Sequence, residues 1–111
     1  MTKIAIPVTN GKLNSHFGHT HEFYVYGIKD DEIVETEALT PPHHEPGAFP
    51  KWLADKGVTD VIAGGMGQKA ITIFNQNKIN VFIGVPLKSP SELVIDFIQG
   101  SLETSDNACD H

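Results

Sequence analysis

The run Asp60-Val61-Ile62-Ala63-Gly64-Gly65-Met66-Gly67-Gln68 decides how this chain folds, because it reads as a short apolar strand, a glycine turn and the start of a helix. Ile71 and Phe74 then share one face of a helix predicted from Gln68 to Asn75. The apolar stretch Lys78 to Val85 follows as another strand. A strand, a helix and a strand joined so closely form a parallel β-α-β unit, whose crossover is right-handed in nearly every case. Lys3 to Val8 supplies a further strand of the same kind: a near-continuous apolar run, as in a strand buried on both faces, with Pro7 near its end where a missing N–H is tolerable.

Working outward, Asn10-Gly11 is a turn that opens an irregular segment containing His16 and His19. A second strand is predicted from His21 to Lys29, rich in Phe23, Tyr24, Val25 and Tyr26. Asp30-Asp31 turns the chain into a more exposed strand from Glu32 to Leu39, so these two strands form a hairpin whose outer member carries the charge that protects a sheet edge. Three prolines between Thr40 and Gly47 dictate an extended loop, which contains His43 and His44. Phe49, Trp52 and Leu53 mark a helix from Ala48 to Lys56 that Gly57 ends. Ser89-Pro90-Ser91-Glu92 has a capping serine, proline at the first helical position and glutamate three residues from the cap, and this last helix runs to Gln99 before Gly100. The expected architecture is α/β, β-β-β-α-β-α-β-α: a mixed five-stranded sheet in the order 3-2-1-4-5, with strand 2 alone antiparallel. One domain is expected over residues 1–100 and a flexible polar tail over residues 101–111.

Composition narrows the function. Of 111 residues, 40% are apolar and 20% charged, which suits one globular domain. A net charge of -6, with eight lysines and no basic run, speaks against nucleic acid as a partner. No run approaches the ~20 apolar residues of a transmembrane helix, and the N-terminus lacks a signal-peptide core, so no membrane association and a cytoplasmic location are expected. The single cysteine, Cys109, has no internal disulfide partner, as in a reducing compartment.

The topology sends the chemistry to one place. The edge where strands 1, 3, 4 and 5 end also receives the start of strand 2. It therefore collects His16, His19, His21, His43, His44 and the turn Gly64 to Gly67, at the carboxyl ends where open α/β sheets bind ligands. In an extended chain His19 and His21 project from one face, roughly 6 to 7 Å apart, so two rings can reach one ion. His16 could add a third, with Gly18 letting the backbone bend. Imidazoles suit iron, copper, nickel or zinc, and a closed structural zinc site is not expected without paired cysteines. Of the adjacent His43 and His44 only one is expected to face the site, and His43 is the expected one. Gly65-x-Gly67-x-x-Ala70, between a strand and a helix, leaves N–H groups free for an anion, yet no acidic residue closes the next strand as a dinucleotide site requires. Cys109 and His111 lie on the tail and could reach back as further metal ligands. Each histidine and glycine also fits a purely structural role, as a bond to a carbonyl or a tight turn.

Taken together, Ile4-Ala5-Ile6-Pro7-Val8, Ser15-His16-Phe17-Gly18-His19, the Pro42-His43 loop and Gly64-Gly65-Met66-Gly67-Gln68 resemble the dinitrogenase iron-molybdenum cofactor-binding family, over about Lys3 to Gln99. The resemblance implies a ribonuclease H-like fold and a small protein that binds or carries an iron-molybdenum or related metal-sulfur cluster, with cluster-assembly or acceptor proteins as partners. The cofactor-binding residues would be His16, Gly18, His19, His21, His43, Gly64, Gly65, Met66 and Gly67. Some relatives carry cysteine just after the second histidine of the His-Phe-Gly motif, where this chain has Thr20, so imidazole is the expected ligand type here. Many relatives occur outside nitrogenase systems. A non-enzymatic carrier is the leading expectation, and a metal-responsive interaction or regulatory module is the alternative. A metal-dependent hydrolase ranks below both, since Lys3 to Val8 contains no Asp or Glu to hold its metal ions.

Overall fold

Alternation along the first strand sets the layers. In β1 (Thr2–Thr9), Ile4, Ile6 and Val8 point to one buried cluster and Ala5 to another, so both faces of this strand are covered. The structure, a computed structural model, describes residues 2–13, 20, 22–41, 48–86 and 88–104. After β1 come β2 (Lys12–Leu13), β3 (Glu22–Lys29), β4 (Glu32–Leu39), α1 (Ala48–Asp55), β5 (Asp60–Ile62), α2 (Gln68–Gln76), β6 (Asn80–Phe82) and α3 (Pro90–Gln99).

The strand order is β4-β3-β1-β5-β6, with β2 paired to β1 off this path. β3 is antiparallel to both β1 and β4, whereas β5 is parallel to β1 and β6 to β5. Six strands replace the five expected from the sequence. Asn10 and Gly11 both take positive φ, 55° and 78°, the geometry of a two-residue hairpin turn, so the chain doubles back and pairs Leu13 with Val8 and Lys12 with Thr9. The last strand is also shorter than the expected Lys78 to Val85. Its first residues belong to the end of α2: the Ile79 N–H donates to the Phe74 carbonyl at 3.0 Å and Lys78 has φ 60°. At its other end Gly84, φ 67°, turns the chain out of the strand.

One face of the sheet packs on α1 and α2, where Phe49, Leu53 and Phe74 meet Ala5, Phe23, Val25 and Val61. Phe23 anchors this layer, edge-on to Phe49 at 5.7 Å and tilted against Trp52 at 6.0 Å. The other face packs on α3 through Leu93 and Val94, with Ile4, Ile6, Tyr26, Ile28 and Ile62 beneath them. The Ser89 hydroxyl caps the Glu92 N–H, and Gly100 closes α3 in the left-handed region at φ 74°. Leu102, assigned to the tail by sequence, packs against this second cluster, while residues 105–111 lie outside the described part. At the amino edge Thr59 and Asn80 hold the buried Asp60 carboxylate at 2.7 and 3.0 Å, which accounts for an acidic side chain at the start of a core strand. Among the described residues no helix is long and apolar enough to cross a membrane.

Candidate functional site

Three pairing relations gather flanks of two histidine segments, residues 14–21 and residues 42–47, at one edge. β4 is antiparallel to β3 and β3 to β1, so β4 runs with β1, β5 and β6, and Leu39, Val8 and Ile62 all lie towards the carboxyl edge. Leu39 pairs with Phe23, and the adjacent Glu22 pairs with Val8. Leu13 also pairs with Val8, on the opposite side of β1 from Glu22. From β4 across β3 and β1 to β5 is three strand spacings, about 14 Å. Residues 14–19, residue 21 and residues 42–47 lie outside the described residues, and with them His44 and the site residues expected from the sequence, His16, Gly18, His19, His21 and His43. Cys109 and His111 lie outside the described residues as well. Among the described residues no group of three His, Cys, Asp or Glu side chains could hold a metal ion.

Thr20, between two of those histidines, is described, and its role was missed by sequence reasoning. It is 4% exposed, and its hydroxyl lies 2.8 Å from the Val8 carbonyl and 2.7 Å from that of Glu22. One hydroxyl proton serves one carbonyl at a time, and the oxygen also accepts the Glu22 N–H at 3.4 Å. This stitch ties the histidine-bearing segment to β1. Read only as a missing thiolate, Thr20 gave no such signal, because the bond is made twelve residues away in sequence.

The glycine turn is described in full. Gly64, Gly65 and Met66 are buried and Gly67 is exposed. The Gly64 carbonyl accepts the Gly84 N–H at 2.9 Å, which continues the contact between the segments after β5 and β6. Met66, 1% exposed, packs its side chain into the core beside Phe74. Gly67 is the N-cap of α2 with φ -64° and ψ 148°, and no side chain caps the helix. A cap residue such as serine would have satisfied an N–H of the first turn; here the turn faces outward without one.

Beside this edge, on the α3 side, a cavity of about 340 Å³ has Lys12, Leu13, Lys88 and Ser89 in its lining. Asp96 hydrogen-bonds the Lys88 ammonium at 2.8 Å and raises its pKa, whereas Lys12 has no ion pair among the described residues. The described edge thus offers backbone N–H groups, the ammonium groups of Lys12 and Lys69 without an ion pair among the described residues, and no carboxylate cluster, a donor set that favours an anion over a bare cation.

The family model described as dinitrogenase iron-molybdenum cofactor matches residues 1–100. The chain belongs to this family. The chain is also 32% identical over 108 residues to an uncharacterized protein of Methanocaldococcus jannaschii, covering 93% of this chain and 91% of that one. Among solved structures, the crystal structure of PH0822 is similar with a TM-score of 0.87 and 29% identity, over 94% of this chain and 95% of that one. The apo form of the orange protein from Desulfovibrio gigas shares the fold, with a TM-score of 0.77 and 21% identity over 96% and 95% of the two chains.

Proposed function

We propose that the protein is a non-enzymatic carrier of an iron-molybdenum or related metal-sulfur cluster, held at the carboxyl edge of the sheet. The single observation that carries this reading is the uncapped first turn of α2 at Gly67, in a chain of the iron-molybdenum cofactor family, on the edge where the flanks of the histidine segments meet. A metal-sulfur cluster of this kind is anionic, and a helix start with free N–H groups favours an anion. Gly64, Gly65, Met66 and Gly67 would line the site with main chain rather than side chains, the Met66 side chain being committed to the core. His16, His19, His21 and His43 would contribute imidazole nitrogen, and Cys109 and His111 would extend the set from the tail. Gly18 would give the first of these segments its bend. The family relationship, with helices on both faces of a mixed sheet, supports reading the fold as ribonuclease H-like. A cytoplasmic location and exchange with cluster-assembly or acceptor proteins follow from the same reading.

Anaerobic reconstitution with iron, molybdate and sulfide, followed by metal and sulfide analysis of the desalted protein, tests the proposal. Wild type is expected to retain metal and sulfide together, and a His16→Ala/His19→Ala variant to lose most of both. Equal retention by the two proteins would refute histidine ligation, and no retention by wild type would refute the carrier role.

A further inference from the structure

One margin of the sheet is built for contact. β4 is an edge strand of the sheet, and every residue from Glu32 to Ala38 is exposed; of this strand only Leu39, half-buried at its end, packs against the α1/α2 layer. Among the described residues it is held by β3 alone, its outer row of N–H and C=O groups has no partner strand, and eight residues is long for an uncovered edge. A small domain gains little core from such a strand, since Ile33 and Val34 remain 36% and 50% exposed.

The pairing register sorts its side chains by face. Glu35 lies across from Gly27 and Glu37 across from Val25, which places both on the α1/α2 face; Glu32, across from Lys29, shares it. The Glu35 side chain lies so close over Gly27 that a Cβ built there would meet its Cγ at 2.6 Å. Ile33, Thr36 and Ala38 lie across from Ile28, Tyr26 and Tyr24 on the α3 face. The edge therefore has one acidic face and one neutral face. Glu35 and Glu37 have no basic side chain across from them on β3, and no ion pair among the described residues.

We propose that β4 docks a partner protein by strand addition, the added strand being an extended segment with Lys or Arg at alternate positions and apolar or β-branched residues between them. Backbone ladder bonds would supply affinity, and alternate side chains the specificity. Cross-strand pairs of opposite charge stabilise and like charges opposite one another destabilise, so the acidic face selects a basic strand. A second copy of this chain is disfavoured on the same ground, since it would bring its own three glutamates to the seam. The inference is independent of what the carboxyl edge binds.

The test uses the full chain, isotope-labelled for amide NMR, titrated with the probe peptide Lys-Val-Lys-Thr-Lys-Val-Lys-Thr. Two controls accompany it: the same peptide N-methylated at alternate residues, and one of equal composition with its lysines in a block. Saturable shifts confined to β4 and its β3 neighbours are expected. Binding should weaken about tenfold for a Glu35→Lys/Glu37→Lys variant shown to be folded by circular dichroism. It should weaken at least as much for the N-methylated and block peptides. Absence of binding, equal binding by either control, indifference to the double substitution, or shifts centred elsewhere would each overturn the proposal. So would a dimer formed through β4 in sedimentation, because the edge would then belong to a second copy.

Discussion

Replacing Thr20 with valine isolates the stitch between the histidine segment and β1. Valine keeps the volume and the β-branch, so the change is one hydroxyl in a site only 4% exposed. The bonds at stake run to the Val8 carbonyl at 2.8 Å and the Glu22 carbonyl at 2.7 Å, of which the hydroxyl serves one at a time. The net value of such a bond is about 0.5–1.5 kcal/mol, and a buried acceptor left without its donor costs about 1–3 kcal/mol. Since the two carbonyls share one proton, the lower part of that second range applies, and we expect a loss of about 1.5 kcal/mol. For a domain of this size that corresponds to a fall in Tm of roughly 6 °C. Urea unfolding provides the assay, followed by fluorescence of the single tryptophan, Trp52, which packs 6.0 Å from Phe23 in the neighbouring strand. The midpoint should drop with the m-value unchanged. A midpoint equal to wild type, or above it, would refute the stitch as a stabilising contact and leave the burial of Thr20 as packing alone.

A Gly67→Ser substitution gives α2 the cap it lacks; a Cβ at this position meets no atom within 4 Å, so stability should rise by a few tenths of a kcal/mol in urea unfolding. If the free N–H groups hold an anionic cluster, the same variant should retain less metal and sulfide after reconstitution, because the serine oxygen competes for them; unchanged retention would count against that role of the turn. Burial, and Tyr24 beside it, push the Tyr26 hydroxyl above its ordinary pKa of 10.0. The folded state thus favours the protonated form, so this contribution to stability is complete below pH 10 and is lost as pH rises towards the folded-state value. Urea midpoints should fall between pH 9 and pH 11, and less steeply in Tyr26→Phe; parallel declines in the two proteins would exclude Tyr26 as the cause.

The sequence by itself determined the element types and most of their limits. Hydrophobic period separates strand from helix in a single short window, which is why Glu32–Leu39 and Pro90–Gln99 were legible to the residue and Ala48–Asp55 and Gln68–Gln76 to within one. It also carried the family, through motifs whose order matches residues 1–100. The Asn10-Gly11 pair carries a hairpin signal, but the strand after it, Lys12 and Leu13, is too short to show an alternating pattern. Tertiary structure alone decided the rest, because pairing partners are not encoded locally. It showed Thr20 as a buried anchor on Val8, committed the Met66 side chain to the core, and trimmed the last strand by spending Lys78 and Ile79 on the end of α2. The charges of β4 already marked Glu32 to Leu39 as the more exposed strand; that neither helical layer covers Glu32 to Ala38 depends on where the helices pack.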